Sequence, residues 1–107
     1  ATGYFAGSLP YMPREQLTDF KNARPVSDVW SIGATLYVLL TGRLPRDAGP
    51  NQDPIEVVLR AEPVPVRHRD SSIPKRVAEV IDRALKSDAG QRYPTATEMR
   101  KALEAAL

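Results

Sequence analysis

Hydrophobic positions along this chain fall into short helical stripes separated by long polar and proline-rich stretches. One segment departs from that pattern. From Ser27 to Gly42 the chain reads "SDVWSIGATLYVLLTG", with no charge from Val29 onward. Val29, Trp30, Ile32, Leu36, Tyr37, Leu39 and Leu40 fill about half of the helical circumference, and Val38 falls on the far side. The remaining arc offers only Ser31, Thr35 and, in the first turn, Asp28. The pattern therefore predicts a helix over 27–42 that is buried nearly all round and needs neighbours on every face. Ser27 is a suitable N-cap, and Gly42 with Pro45 beyond it supplies the stop.

Weaker signals flank this helix. Residues 1–9 are small, polar or aromatic with no helical period and read as an extended loop. Pro13 opens a short helix through Leu17, with Glu15 in the first turn where the helix dipole favours negative charge. A polar connection runs from Asp19 to Pro25. Asp53 followed by Pro54 caps a helix to about Arg60. The stretch "AEPVPVRHRDSS", with two prolines, is expected to run extended. A further helix runs from near Pro74 to Leu85 or Lys86, with Val77, Val80, Ile81, Ala84 and Leu85 on one face. Thr95 and Glu98 have capping-box spacing before a last helix striped by Met99, Ala102, Leu103 and Ala106. No alternating run is long enough for a strand. The expected fold is mainly α: a short helix, a buried central helix and three further helices, joined by long proline-rich loops.

Composition narrows the function. The chain has 107 residues, 42% hydrophobic and 26% charged, which suits one small globular domain. The net charge of +2 is mild, and the basic residues are spread from Arg14 to Lys101, so a nucleic-acid partner is not expected. There is no cysteine, and the single His68 cannot build a metal site of His and Cys ligands. His68 itself, between Arg67 and Arg69, reads as a solvated residue, and no metal site is expected. The uncharged run is shorter than the roughly 20 residues that span a bilayer. No basic-then-apolar leader is present, and a cytoplasmic location is expected, with any membrane anchor of a larger parent outside this segment.

Three pieces in order carry a family signal: "GSLPYMPREQ" from Gly7, "SDVWSIGATLYVLLTG" from Ser27 and "DAGQRYPTATEM" from Asp88. Together they resemble the eukaryotic-like (Hanks-type) Ser/Thr protein kinases common in bacteria, over essentially all of the chain. The first is similar to the end of the activation segment, G-T/S-x-x-Y-x-A-P-E. The second is similar to the D-x-W-S-x-G of the helix through the middle of the C-terminal lobe, and the third to the segment carrying the family's late arginine. The resemblance implies the C-terminal part of a kinase domain, with residues 1–15 as activation segment and substrate-docking loop, 27–42 as central helix and 53–107 as C-terminal helices. It also implies what covers the central helix: elements that precede the activation segment.

The resemblance assigns roles residue by residue. Gly7, Ser8 and Tyr11 belong to the substrate-docking loop, and Thr2 and Tyr4 are candidate phosphorylation sites. Glu15 and Arg92 form a structural ion pair, and Asp28 anchors the catalytic loop through its backbone N–H groups. No catalytic residue is expected here, because the resemblance places the start of the chain after the family's Gly-rich phosphate loop, V-A-I-K lysine, H-R-D catalytic loop and D-F-G. ATP and magnesium are expected for the parent kinase, with none bound to this chain. Its expected partners are a protein substrate and the N-terminal part of the kinase domain, and the exposed central helix implies self-association or domain swapping. Three positions depart from the family: Arg14 replaces the proline of A-P-E, Ala89 replaces the proline of D-P-x-x-R, and Arg46 replaces the aromatic that often follows T-G-x-x-P. The implied function is part of a Ser/Thr kinase that transfers the ATP γ-phosphate to protein; the alternative is a pseudokinase or a regulatory helical interaction module.

Overall fold

The computed structural model describes residues 9–19 and 24–107. Six α-helices and two 3-10 turns, Leu9–Tyr11 and Ala89–Gln91, make up its regular structure, with no strand among the described residues. The helices are α1 (Arg14–Thr18), α2 (Pro25–Thr41), α3 (Pro54–Arg60), α4 (Val66–Arg69), α5 (Lys75–Ala84) and α6 (Ala96–Ala106). The mainly α reading holds, and so do several local signals. Asp53 accepts a hydrogen bond from the Ile55 N–H at the start of α3, and Thr95 accepts from the Glu98 N–H at 3.2 Å at the start of α6. Gly42 ends α2 in the left-handed conformation, φ 70°, with its N–H on the Val38 carbonyl at 2.8 Å.

Two local expectations are corrected. Ser27 does not cap α2. Pro25 occupies the first helical turn, where its fixed φ is already helical and its missing N–H costs nothing, so the helix begins earlier and Arg24 is the capping residue. The Ser27 hydroxyl is freed for another partner, described below. The second correction is α4, a fourth helix after the central one, in the segment expected to be extended. Prolines 63 and 65 disfavour helix at the residues before them and leave those after Pro65 unconstrained. Val66 is fully buried there, and its N–H, which no helical carbonyl can reach, donates to the Asp82 carboxylate at 3.0 Å.

The core forms where α2 meets α5 and α6. Val29, Trp30, Gly33, Ala34 and Tyr37 line the buried face of α2, and Val77, Ala78, Val80, Ile81 and Ala84 line that of α5. Small residues set the approach: a Cβ on Gly33 would lie 2.9 Å from the Ala84 Cβ. Polar atoms on the large aromatics are satisfied across elements, which fixes the docking angle as well as the depth. The Trp30 indole donates to the Leu85 carbonyl at 3.2 Å. The Tyr37 hydroxyl donates to the Val64 carbonyl at 2.8 Å and accepts from Arg69 Nε at 2.9 Å.

The central helix is two-faced rather than enclosed. Its neighbours, α4, α5, α6 and the two 3-10 turns, leave Ile32, Leu39 and Leu40 exposed, Leu39 to 75%. The uncharged pattern thus encodes one buried face and one apolar face that these described residues do not cover. Among the described residues no helix is long and apolar enough to cross a membrane.

The tight α2–α5 contact makes a direct prediction. Gly33→Val forces two backbones apart against a Cβ that cannot move aside, and overpacking of this kind costs roughly 1–3 kcal/mol. A urea titration should show a lower midpoint at unchanged slope; an unchanged midpoint would show that the helices do not touch there.

Candidate functional site

The candidate site begins where the Leu9–Tyr11 turn enters α1. The turn is anchored from below by packing: Leu9, Met12 and Val58 of α3 form a small apolar cluster with the partly buried Leu17. Tyr11 is half-buried against the main core, and its carbonyl accepts from the Ser31 hydroxyl at 2.7 Å. These contacts hold the segment on α2 and α3, and an ion pair fastens its far end.

Glu15 and Arg92 lie 77 residues apart and meet in a two-pronged pair, Nη1 to Oε2 at 2.7 Å and Nη2 to Oε1 at 3.0 Å. The Arg92 side chain is fully buried and that of Glu15 is 21% exposed. Such a pair is stable only when the remaining donors are used. Arg92 Nε donates to the Lys86 carbonyl at 2.7 Å, and Nη1 and Nη2 donate to the carbonyls of Val26 and Ser87. The Ser27 hydroxyl completes the carboxylate's shell at 2.8 Å. Burial pushes the Glu15 pKa up, but the hydrogen bonds from Arg92 and Ser27 and the attraction of Arg92 outweigh it and hold the carboxyl at about 2.

A second pair runs parallel to the first. Arg14 Nη2 donates to Glu62 at 3.2 Å, and the Ser87 hydroxyl donates to the other Glu62 oxygen at 2.6 Å. The basic residue at position 14 therefore ties α1 to the loops after α3 and α5. Arg46 is the unexpected member of this group: it lies over the Trp30 ring, 4.1 Å from its centroid, with its side chain buried. Its signal in the sequence is the charge standing where the family often has an aromatic.

The other residues singled out from sequence are placed apart from this cluster or not at all. Asp28 is exposed in the first turn of α2, and His68 is exposed on α4. Thr2, Tyr4, Gly7 and Ser8 lie outside the described residues. No group of three His, Cys, Asp or Glu side chains suited to a metal ion occurs among the described residues.

Removing Glu15 leaves the Arg92 guanidinium buried without its counter-ion. Glu15→Ala should cost about 3 kcal/mol, the low end for a broken buried pair because Glu15 is partly exposed. The pH dependence has a definite sign. A carboxyl whose folded pKa lies below its unfolded value stabilises the fold fully above that value, 4.5, and the gain is lost as pH falls toward 2. Acid denaturation followed by circular dichroism should lose that window in Glu15→Gln; an identical pH profile would contradict it.

Residues 2–103 match the protein kinase domain family. The chain is similar to serine/threonine-protein kinase PksC of Streptomyces coelicolor, 34% identical over 103 residues that cover 92% of the chain and 18% of that protein. Similar relations hold with PknK of Mycobacterium tuberculosis, at 33% over 105 residues, and PrkC of Bacillus subtilis, at 31% over 108. The chain spans 9% of the first of these two and 16% of the second. With a family match over nearly its whole length and bacterial Ser/Thr kinases among its relatives, the chain belongs to the protein kinase domain family.

Proposed function

We propose that these residues form the lower-lobe portion of a Ser/Thr protein kinase that transfers the ATP γ-phosphate to protein hydroxyls. In this reading they carry the end of the activation segment, the substrate-docking loop and the scaffold beneath it. One observation supports it above the rest: the Glu15–Arg92 pair fastens the segment that follows Gly7 and Ser8 to the central helix and to the loop before α6. Phosphoryl transfer depends on positioning and electrostatics, so fastening the Leu9–Glu15 end of the substrate loop is a contribution to catalysis although it touches no phosphate.

The division of labour follows from the residue content. The chain contains no Gly-rich phosphate loop and no D-F-G, and its one H-R-D tripeptide, His68 to Asp70, follows the docking loop in sequence and has Lys75 where the catalytic-loop pattern has asparagine, so nucleotide, magnesium and the proton-accepting aspartate belong to other residues of the parent, and these 107 residues alone transfer no phosphate. The exposed apolar face of α2, with Ile32, Leu39 and Leu40, is where the rest of the domain packs. Asp28, exposed in the first turn of α2, lies at the end of that helix nearest the expected catalytic loop.

Incubation of the full-length protein with ATP and magnesium, followed by intact mass and peptide mapping across residues 1–12, tests this reading. It predicts phosphate on Thr2, with Tyr4 as the secondary candidate, and none when the upstream catalytic aspartate is replaced. No phosphate and no nucleotide binding would overturn it.

A further inference from the structure

Arg46 is 7% exposed, and its Nε and Nη1 have no hydrogen-bond partner. Among the described residues the guanidinium lies against the Trp30 ring face, 4.1 Å from its centroid. Glu15 and Glu62 are the carboxylates close enough to act on it, and both are engaged elsewhere: Glu15 by Arg92 and Ser27, Glu62 by Arg14 and Ser87. Its neighbouring cations, Arg14 and Arg92, repel it. Burial first, and then those two arginines, push its pKa down to about 10, so at neutral pH the group is still charged. Asp47, next in sequence, is bound to Arg69 at 2.7 Å.

A buried charge without a counter-ion is an arrangement that proteins avoid unless something supplies one. The undescribed residues of this chain cannot: residues 1–8 and 20–23 contain no Asp or Glu. An anion from outside these 107 residues would supply the missing partner. There is also space for it. Arg46 lines a cavity of about 300 Å³ between the Leu9–Tyr11 turn and α3, whose other walls include Leu9, Pro10, Leu44, Pro54 and Val57. Arg46 and the Gln52 amide are the polar side chains on a mainly apolar cavity, a lining that suits a ligand with a carboxylate beside an aliphatic group.

We propose that this cavity docks an acidic segment of the parent kinase's protein substrate, in which a Glu or Asp carboxylate pairs with Arg46 and an adjacent aliphatic side chain lies on Leu9 and Val57. The site adjoins the loop expected to hold the phosphorylated residue, so it selects substrates by charge at a position beside the reacting hydroxyl. The inference deepens the kinase reading by naming the substrate's chemistry. Its test measures binding without nucleotide, so its failure is separate from a failure of phosphoryl transfer.

The probe is a set of fluorescein-labelled nine-residue peptides with a central Glu flanked by Leu or Val, paired with the same peptides carrying Gln, titrated with full-length protein by fluorescence anisotropy. The Glu peptides should bind about tenfold more tightly, as expected for a charge-assisted hydrogen bond. Arg46→Phe, which restores an aromatic against Trp30, should abolish the preference while the thermal midpoint stays level or rises. Ala48→Trp, which fills the cavity from its exposed rim, should weaken both peptides. Equal binding of Glu and Gln peptides, a preference that survives Arg46→Phe, undiminished binding in Ala48→Trp or no saturable binding at all would each overturn the proposal.

Discussion

The Arg92 guanidinium is the point at which the separate parts of this chain are held together. It makes five hydrogen bonds, two to Glu15 and three to the carbonyls of Val26, Lys86 and Ser87. A planar fork of five donors satisfies such a set at once, which the three donors of a lysine ammonium do not. The consequence is topological. Helix α1, the start of α2 and the loop between α5 and α6 share one buried charge, so the segment leading out of the Leu9–Tyr11 turn cannot shift without disturbing all of them. Helix α1 has five residues and no buried side chain of its own, so its position depends on this tie and on the apolar cluster beneath the turn before it.

Two arginines in the same neighbourhood show how compensation decides a buried charge's role. Arg92 is fully buried and fully paired, which makes it a fastener. Arg46 is almost as buried and stacked on Trp30, with Nε and Nη1 unpaired, and it is this side chain that we propose pairs with a substrate carboxylate. The difference lies in where the carboxylates went. Glu15 and Glu62 are both committed elsewhere, Glu15 to Arg92 and Ser27 and Glu62 to Ser87 and Arg14. The two basic departures from the family pattern are therefore coupled through the same carboxylate supply.

Much of this was legible in the sequence where one residue governs its own local geometry. Gly42, Asp53 and Thr95 end or begin helices by short-range hydrogen bonds, and the chain order alone reveals them. Ser27 was misread because capping preference is a local rule, whereas its hydroxyl is used by a carboxylate twelve residues away. Helix α4 was missed because its first N–H is satisfied by Asp82, sixteen residues on, which no window of sequence contains. The Glu15–Arg92 pairing was accessible only through family resemblance, since nothing in local pattern joins residues 77 apart. The cavity at Arg46 depends on which carboxylates are already occupied, and that is a property of the folded arrangement.

A double-mutant cycle between Glu15→Gln and Arg92→Met, read by equilibrium urea unfolding, is the most direct test of the fastening role. The cycle cancels the carbonyl bonds that Arg92 loses in both of its backgrounds and isolates the coupling with Glu15. A buried two-pronged pair predicts a coupling energy of about 2 kcal/mol or more. If the two substitutions add to within about 0.5 kcal/mol, the residues act independently and Arg92 does not hold α1 and the Leu9–Tyr11 turn in place.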